Sequence, residues 1–188
     1  MWDDSRIWSS SPQVRLMSVY DQITNSELKR AYSYVMSIRR PGMLPAKSSL
    51  DPIKMKDWLA NIELIDVLDG GANFQYRVAG SVIEDIFHRR MHRKNLDNIF
   101  SGNVLDFKKT IFTRCAKERK VILSNGNLER NSTNLASFER ILIPMSENGE
   151  IVDTLFGCTL ARLKTQLPPE YDNSELKIIS EIFVEEQV

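Results

Sequence analysis

At 188 residues the chain is long enough to bury a sizeable core and short for two full domains. Hydrophobic residues make up 42% and charged residues 27%, the balance of an ordinary globular protein and not of a disordered chain. Lys and Arg total 25 against 25 Asp and Glu, so no global charge marks nucleic acid or an anionic membrane as a partner.

Two cysteines, Cys115 and Cys158, exclude a disulfide framework and suit a reducing compartment. The start Met1-Trp2-Asp3-Asp4 is acidic and lacks the apolar stretch of a secretory signal. No apolar run approaches the roughly 20 residues that a membrane span needs. The expectation is a cytoplasmic protein, most simply bacterial.

Residues 1–20 read as a loosely ordered arm, broken by Ser9, Ser10, Ser11 and Pro12. Ser26 is a candidate helix cap, and Leu28, Ala31, Tyr32, Val35 and Ile38 form an apolar stripe at helical spacing. Pro41 and Gly42 stop that helix. Asp51-Pro52 has the form of a cap followed by proline at the first helical position, and opens a short helix with Ile53, Met55, Trp58 and Leu59. Ile62, Leu64, Ile65 and Val67 then form an apolar strand ended by the turn Asp69-Gly70-Gly71. Phe74, Tyr76 and Val78 alternate with Gln75, Arg77 and Ala79, the period of a half-buried strand.

Ser81 with Glu84 three residues on fits a capping box for the next helix. A basic turn runs from His88 to Lys94, and a long helix over about residues 103–119 carries Val104, Phe107, Ile111 and Cys115 on one stripe. Three strand-like runs follow: the first from Val121, bent at Asn125-Gly126-Asn127, then residues 136–145 and 151–163. After Pro168-Pro169, residues 173–186 are expected to form an amphipathic helix with Leu176, Ile179, Ile182 and Phe183 on one side. The pattern predicts an α+β fold: a five-stranded antiparallel sheet with helices on one face, flanked by N- and C-terminal helices. The expected divisions are 1–43, the arm and flanking helix; 44–163, the central domain; and 164–188, the C-terminal helix.

The order strand, strand, short helices, long helix, three strands resembles a PAS domain. So does the wording at Leu44-Pro45, Trp58-Leu59, Ile65-Asp66-Val67, Tyr76-Arg77-x-x-Gly80 and Arg140-Ile141-Leu142-Ile143-Pro144-Met145-Ser146. It looks like a short, stand-alone PAS subfamily common in alpha-proteobacteria. That subfamily carries glycines where this chain has His88 and Arg93, which predicts a differently shaped turn here. The resemblance implies a sensory or regulatory module, not an enzyme. It binds a small molecule between sheet and helices, or works through protein contact, with a separate signalling protein as output partner. The alternative is a ligand-free interaction or dimerisation module, its core filled by Phe107, Ile111, Phe112, Phe138, Phe156 and Leu160.

The residues expected against a ligand are Arg77, Phe112, Cys115, Arg140 and Phe156. Arg77 and Arg140 interrupt otherwise apolar strands, and a guanidinium on the sheet face is suited to a ligand carboxylate. Leu28, Tyr32 and Val35 are expected at a symmetric homodimer interface. No metal or cofactor is expected: His88 and His92 share one basic turn without further ligands, and the long helix carries no His for a haem. Cys115 does not lie in a flavin-reactive motif and reads as a small apolar residue. The basic cluster Arg89, Arg90, Arg93 and Lys94 reads as a solvated face, so no nucleic acid is expected as partner. No phosphate loop or nucleophile elbow is present.

Overall fold

The computed structural model describes residues 18–164 and 175–187, so residues 1–17 of the arm expected over 1–20, and Pro168-Pro169, lie outside the described residues, while Val19 and Tyr20 of that arm are helical. Among the described residues four α-helices are seen: α1 (Val19–Gln22), α2 (Ser26–Ser37), α3 (Ser81–Phe87) and α4 (Gly102–Glu118). Six strands, β1 (Ile62–Leu68), β2 (Asn73–Ala79), β3 (Lys120–Arg130), β4 (Thr133–Met145), β5 (Thr154–Leu163) and β6 (Leu176–Gln187), form one antiparallel sheet. Their order is β2-β1-β5-β4-β3-β6. The expected α+β architecture therefore holds, with one strand more than expected.

That strand replaces the C-terminal helix. Within residues 176–179, Leu176 and Ile178 are buried while Lys177 and Ile179 are exposed, a period of two and not 3.6. The segment is rich in Ile and Val, whose branched side chains favour strands. Gly126, expected to bend the chain, instead sits inside β3, where a Cβ would meet the Ile179 carbonyl of β6. The bend falls later, at Asn131-Ser132, where φ of 49° and 62° supplies the left-handed pair of a tight hairpin turn.

Both faces of the sheet are covered. On the inner face, α3, α4 and a 3₁₀ turn at Leu96–Asn98 enclose Ile65, Phe74, Tyr76, Ile122 and Leu142. On the outer face, α1 and α2 lie over Ile62, Val121, Leu123, Ile141, Ile143, Met145, Phe156 and Cys158. The stripe Leu28, Ala31, Tyr32 and Val35 on α2 is what buries there. The fully buried Leu28 and Val35 contribute roughly 1.5–3 kcal/mol each. Asn25, not Ser26, caps α2: its side chain accepts from the Glu27 N–H at 2.8 Å.

Other local expectations shift in instructive ways. The Asp51 carboxylate does accept from the Ile53 N–H at 2.9 Å, but it caps turns that lead into a 3₁₀ helix, Lys56–Asn61. Ser81 makes no cap: Gly80 holds that position without a side-chain bond, and Glu84 binds the Met91 N–H and Arg90 instead. Gly80 has an ordinary φ of −67°, so conformation does not require glycine. Space does, because a Cβ would run into the Ala60 carbonyl.

The turn after α3 keeps the left-handed backbone that glycine would favour, although it has none. His88 lies at φ 47° and Arg93 at φ 57°, at a cost of about 1–2 kcal/mol each. The expectation of a reshaped turn is thus corrected. Neighbours hold it: Arg93 N–H donates to the Tyr76 carbonyl at 2.7 Å, Tyr76 N–H to the Lys94 carbonyl at 3.0 Å, and Met91 is fully buried. His92 Nδ1 lies 2.7 Å from the Arg77 carbonyl.

Candidate functional site

β1 is an apolar strand with two acidic exceptions, the half-buried Asp66 and the fully buried Glu63. Its neighbours Ile62 and Leu64 face α2, so the period of two turns the carboxylate toward α3 and α4. Opposite it in β5 stands Gly157, and a Cβ there would come within 3.2 Å of the Glu63 Cβ and 3.5 Å of its Oε1. The glycine makes room for the carboxylate.

Four side chains converge on Glu63, each from a different element. Arg140 of β4 donates from a guanidinium NH2 to Oε1 at 2.6 Å, and the Thr159 hydroxyl of β5 donates to the same oxygen at 2.9 Å. The Tyr76 hydroxyl of β2 donates to Oε2 at 2.8 Å. Lys108 of α4 donates to the Tyr76 oxygen at 2.9 Å and lies 3.6 Å from Oε2. Glu63, Lys108 and Arg140 are 0%, 2% and 4% exposed, so three formal charges are held inside the protein.

The rings around Lys108 complete the arrangement. Its ammonium stands 4.9 Å from the centre of Phe100, 5.5 Å from Phe87, and 5.6 Å from both Tyr76 and Phe112. The Arg140 guanidinium lies 5.5 Å above Phe112. Burial alone would raise the Glu63 pKa, but Arg140 and Lys108 overcome it and hold the group at about 2. Burial, reinforced by Arg140 and only partly opposed by Glu63, brings Lys108 down to about 7. Burial and Glu63 push Tyr76 well above its ordinary value, so it remains a neutral donor.

A cavity of about 40 Å³ adjoins this cluster. Glu63, Lys108, Arg140 and Thr159 form its polar side, and Ile83, Phe87, Leu128, Phe138 and Ile178 are among its apolar walls. A wider groove of about 430 Å³ opens on the other side of the sheet near Thr24, Ser137 and Arg162. It is more open to solvent and holds no buried charge. Glu139, which borders it, is occupied by the Thr24 N–H and hydroxyl, so the buried cluster is the better candidate.

Of the residues expected at a ligand, Arg140 sits at the centre of the cluster, Phe112 stacks beneath its guanidinium, and Cys115 is fully buried on the same helix. Burial pushes the Cys115 thiol up, with Arg140 opposing only in part, which fits an unreactive core position. Arg77 and Phe156 are elsewhere. Arg77 is half exposed and bonds Asp66 at 2.8 Å, while Phe156 packs on the outer face beneath α2. Leu28, Tyr32 and Val35 are covered by the chain's own sheet.

Glu63, Tyr76, Lys108 and Thr159 went unrecognised in the sequence. Lys108 carried a usable signal: it falls four residues after Val104 and three and four before Ile111 and Phe112, on the apolar stripe of α4. Glu63 carried a weaker one, an acid within Ile62-Glu63-Leu64-Ile65.

Among the described residues no three His, Cys, Asp or Glu side chains gather to hold a metal. No described helix is long and apolar enough to cross a membrane. A family model described as PAS domain matches residues 23–160, a span that begins before α2 and ends within β5. Neither the curated proteins nor the solved structures gave a match.

Proposed function

Since the chain belongs to the PAS domain family, we propose that it is a sensory module that admits a small molecule to the cavity beside Glu63 and Arg140 and passes the event to a partner protein. One observation carries this reading: three charged side chains face a cavity in the core. Such groups are costly to desolvate, and apolar residues of similar volume often fold as well or better. A buried charge cluster beside open volume therefore favours a binding role over a purely structural one.

The route outward is short. In β1, β4 and β5 each polar residue of the cluster is followed or preceded by a residue that faces α2: Ile62 beside Glu63, Ile141 beside Arg140, Cys158 beside Thr159. A shift in the cluster moves the same strands on which α2 rests, and α2 is then the surface that a partner reads. Self-association through Leu28, Tyr32 and Val35 would require α2 to leave the sheet, because Leu28 and Val35 are fully covered.

The second reading is an interaction module with a filled core. The small cavity favours it, since pockets for drug-sized ligands span about 300–1,000 Å³. Native mass spectrometry of the purified protein, with thermal-shift measurements across neutral, anionic and cationic metabolites, separates the two. A retained or stabilising compound is the expected result. An empty protein that no compound stabilises leaves the interaction module.

A further inference from the structure

The polar cluster has a donor left over. Both Glu63 oxygens are engaged, Oε1 by Arg140 and Thr159, Oε2 by Tyr76 with Lys108 close by. Arg140 lines the cavity, yet its Nε–H has no hydrogen-bond partner although the atom is buried. The Ser124 hydroxyl, buried and likewise unpartnered, stands directly across from Arg140 in the β3–β4 register, on the same face of the sheet. Buried donors in native proteins are almost always satisfied.

Charge tells the same story. One carboxylate faces two cations, so the cluster with Lys108 protonated carries one positive charge in excess. Size sets the limit. About 40 Å³ is room for roughly two or three water-sized groups, too little for a nucleotide, a flavin or a haem. Its remaining walls, among them Ile83, Phe87 and Leu128, are apolar and suit a short hydrocarbon tail.

The geometry points to a binding site for a small monovalent carboxylate of the formate or acetate class, its oxygens held by the Arg140 Nε–H and by Lys108. This deepens the sensory reading and rests on it. The anion supplies the acceptor that Arg140 lacks and neutralises the excess charge.

Binding is coupled to the proton on Lys108. The titratable groups facing that ammonium are Glu63 from β1, Tyr76 from β2 and Arg140 from β4, with Cys115 on its own helix also close to Arg140. Of these, Glu63 stays ionised and Tyr76 and Cys115 stay neutral across the neutral range, so Lys108 alone changes state there. Burial lowers Lys108 to about 7, so the competent cation is depleted above that pH.

The test is calorimetric titration of the full chain with sodium acetate and sodium formate, at ionic strength held constant with sodium chloride. Acetamide, neutral and nearly the same shape, is the control, and succinate tests for a larger dianion. Saturable acetate binding is expected, on the order of tenfold weaker at pH 8.5 than at pH 6. Acetamide is expected not to bind. Lys108→Met, which fills the same space without charge, should stay folded by circular dichroism and lose acetate binding. Arg140→Lys keeps the charge but not the Nε donor and should weaken it.

Acetate no better than chloride overturns the site, as does Lys108→Met binding acetate as well as the wild type. Succinate binding more tightly than acetate overturns the size limit. Should a neutral metabolite bind where acetate does not, this inference falls and the sensory reading stands. If nothing binds in either panel, both fall.

Discussion

Lys108 places an ammonium where water cannot reach it, and its compensation is incomplete. Tyr76 and three phenylalanine rings surround it, but Glu63 is already paired with Arg140. Removing the one acid of this buried network and removing its surplus base should therefore act in opposite directions. Glu63→Gln leaves Arg140 and Lys108 together without a counter-charge, and urea titration should show a loss of about 3–5 kcal/mol. Lys108→Met keeps the Glu63–Arg140 pair and should gain about 1–3 kcal/mol at pH 7. The sign of the pH dependence follows. Lys108 titrates near 7 when folded and at 10.5 when unfolded, so the unfolded chain holds more protons between those values. Stability should accordingly rise from pH 7 toward 8.5, with a slope of at most about 1.4 kcal/mol per pH unit. Beyond that the buried thiols of Cys115 and Cys158, whose pKa values are raised, reverse the trend. In Lys108→Met the rise over this range should be largely absent in the same urea experiment.

Elements show how far pattern alone reaches. The strands β1 and β2 and the helix α4 were legible because their periodicities are strong and their ends are marked, by Asp69-Gly70-Gly71 and by Gly80. β6 was not, because Leu176, Ile179, Ile182 and Phe183 fit a helical stripe nearly as well as a strand, and only pairing with β3 decides between them. The α2 stripe was legible but its partner was not. An apolar helix face does not say which surface covers it, and here that surface comes from strands that lie far along the chain. Leu28→Ala should therefore cost about 2–4 kcal/mol in an equilibrium melt, with no dependence on protein concentration. A stability that rises with concentration would instead place Leu28 between subunits. The turn after α3 offers the reverse experiment. Arg93 occupies a left-handed position and is exposed, so Arg93→Gly should gain about 0.5–1 kcal/mol, read as a higher thermal midpoint.

For the whole molecule, the site was half legible. Arg140 announced itself as a charge inside Arg140-Ile141-Leu142-Ile143, Cys115 as a member of the α4 stripe, and Phe112 as an apolar residue beside that stripe. Arg77 had the same outward sign, a basic residue in an apolar strand, yet it faces solvent and Asp66. The difference lies in the strand face, and the irregular register between Leu64 and Ile65 shows why simple alternation is an unsafe guide there. Glu63 and Lys108 make sense only together, since neither is tolerable in a core without the other elements that bring Arg140 and Tyr76 to it. Sequence displays each group separately; only the closed fold displays their sum.

The strand order also has a consequence during synthesis. β1 lies between β2 and β5, and Ile62 pairs with Cys158, so one edge of the β1–β2 hairpin stays open while residues 80–153 are made. An apolar strand with a free edge invites pairing with another nascent chain. Glu63 sits in that strand, and before Arg140 and Thr159 are translated its carboxylate has neither partner. It would have to enter any intermolecular sheet unpaired, an inward charge of the kind that blunts strand edges. A fragment ending before β5 and carrying Glu63→Leu should sediment more readily than the same fragment with Glu63. Equal sedimentation of the two would confine the carboxylate's role to the finished fold.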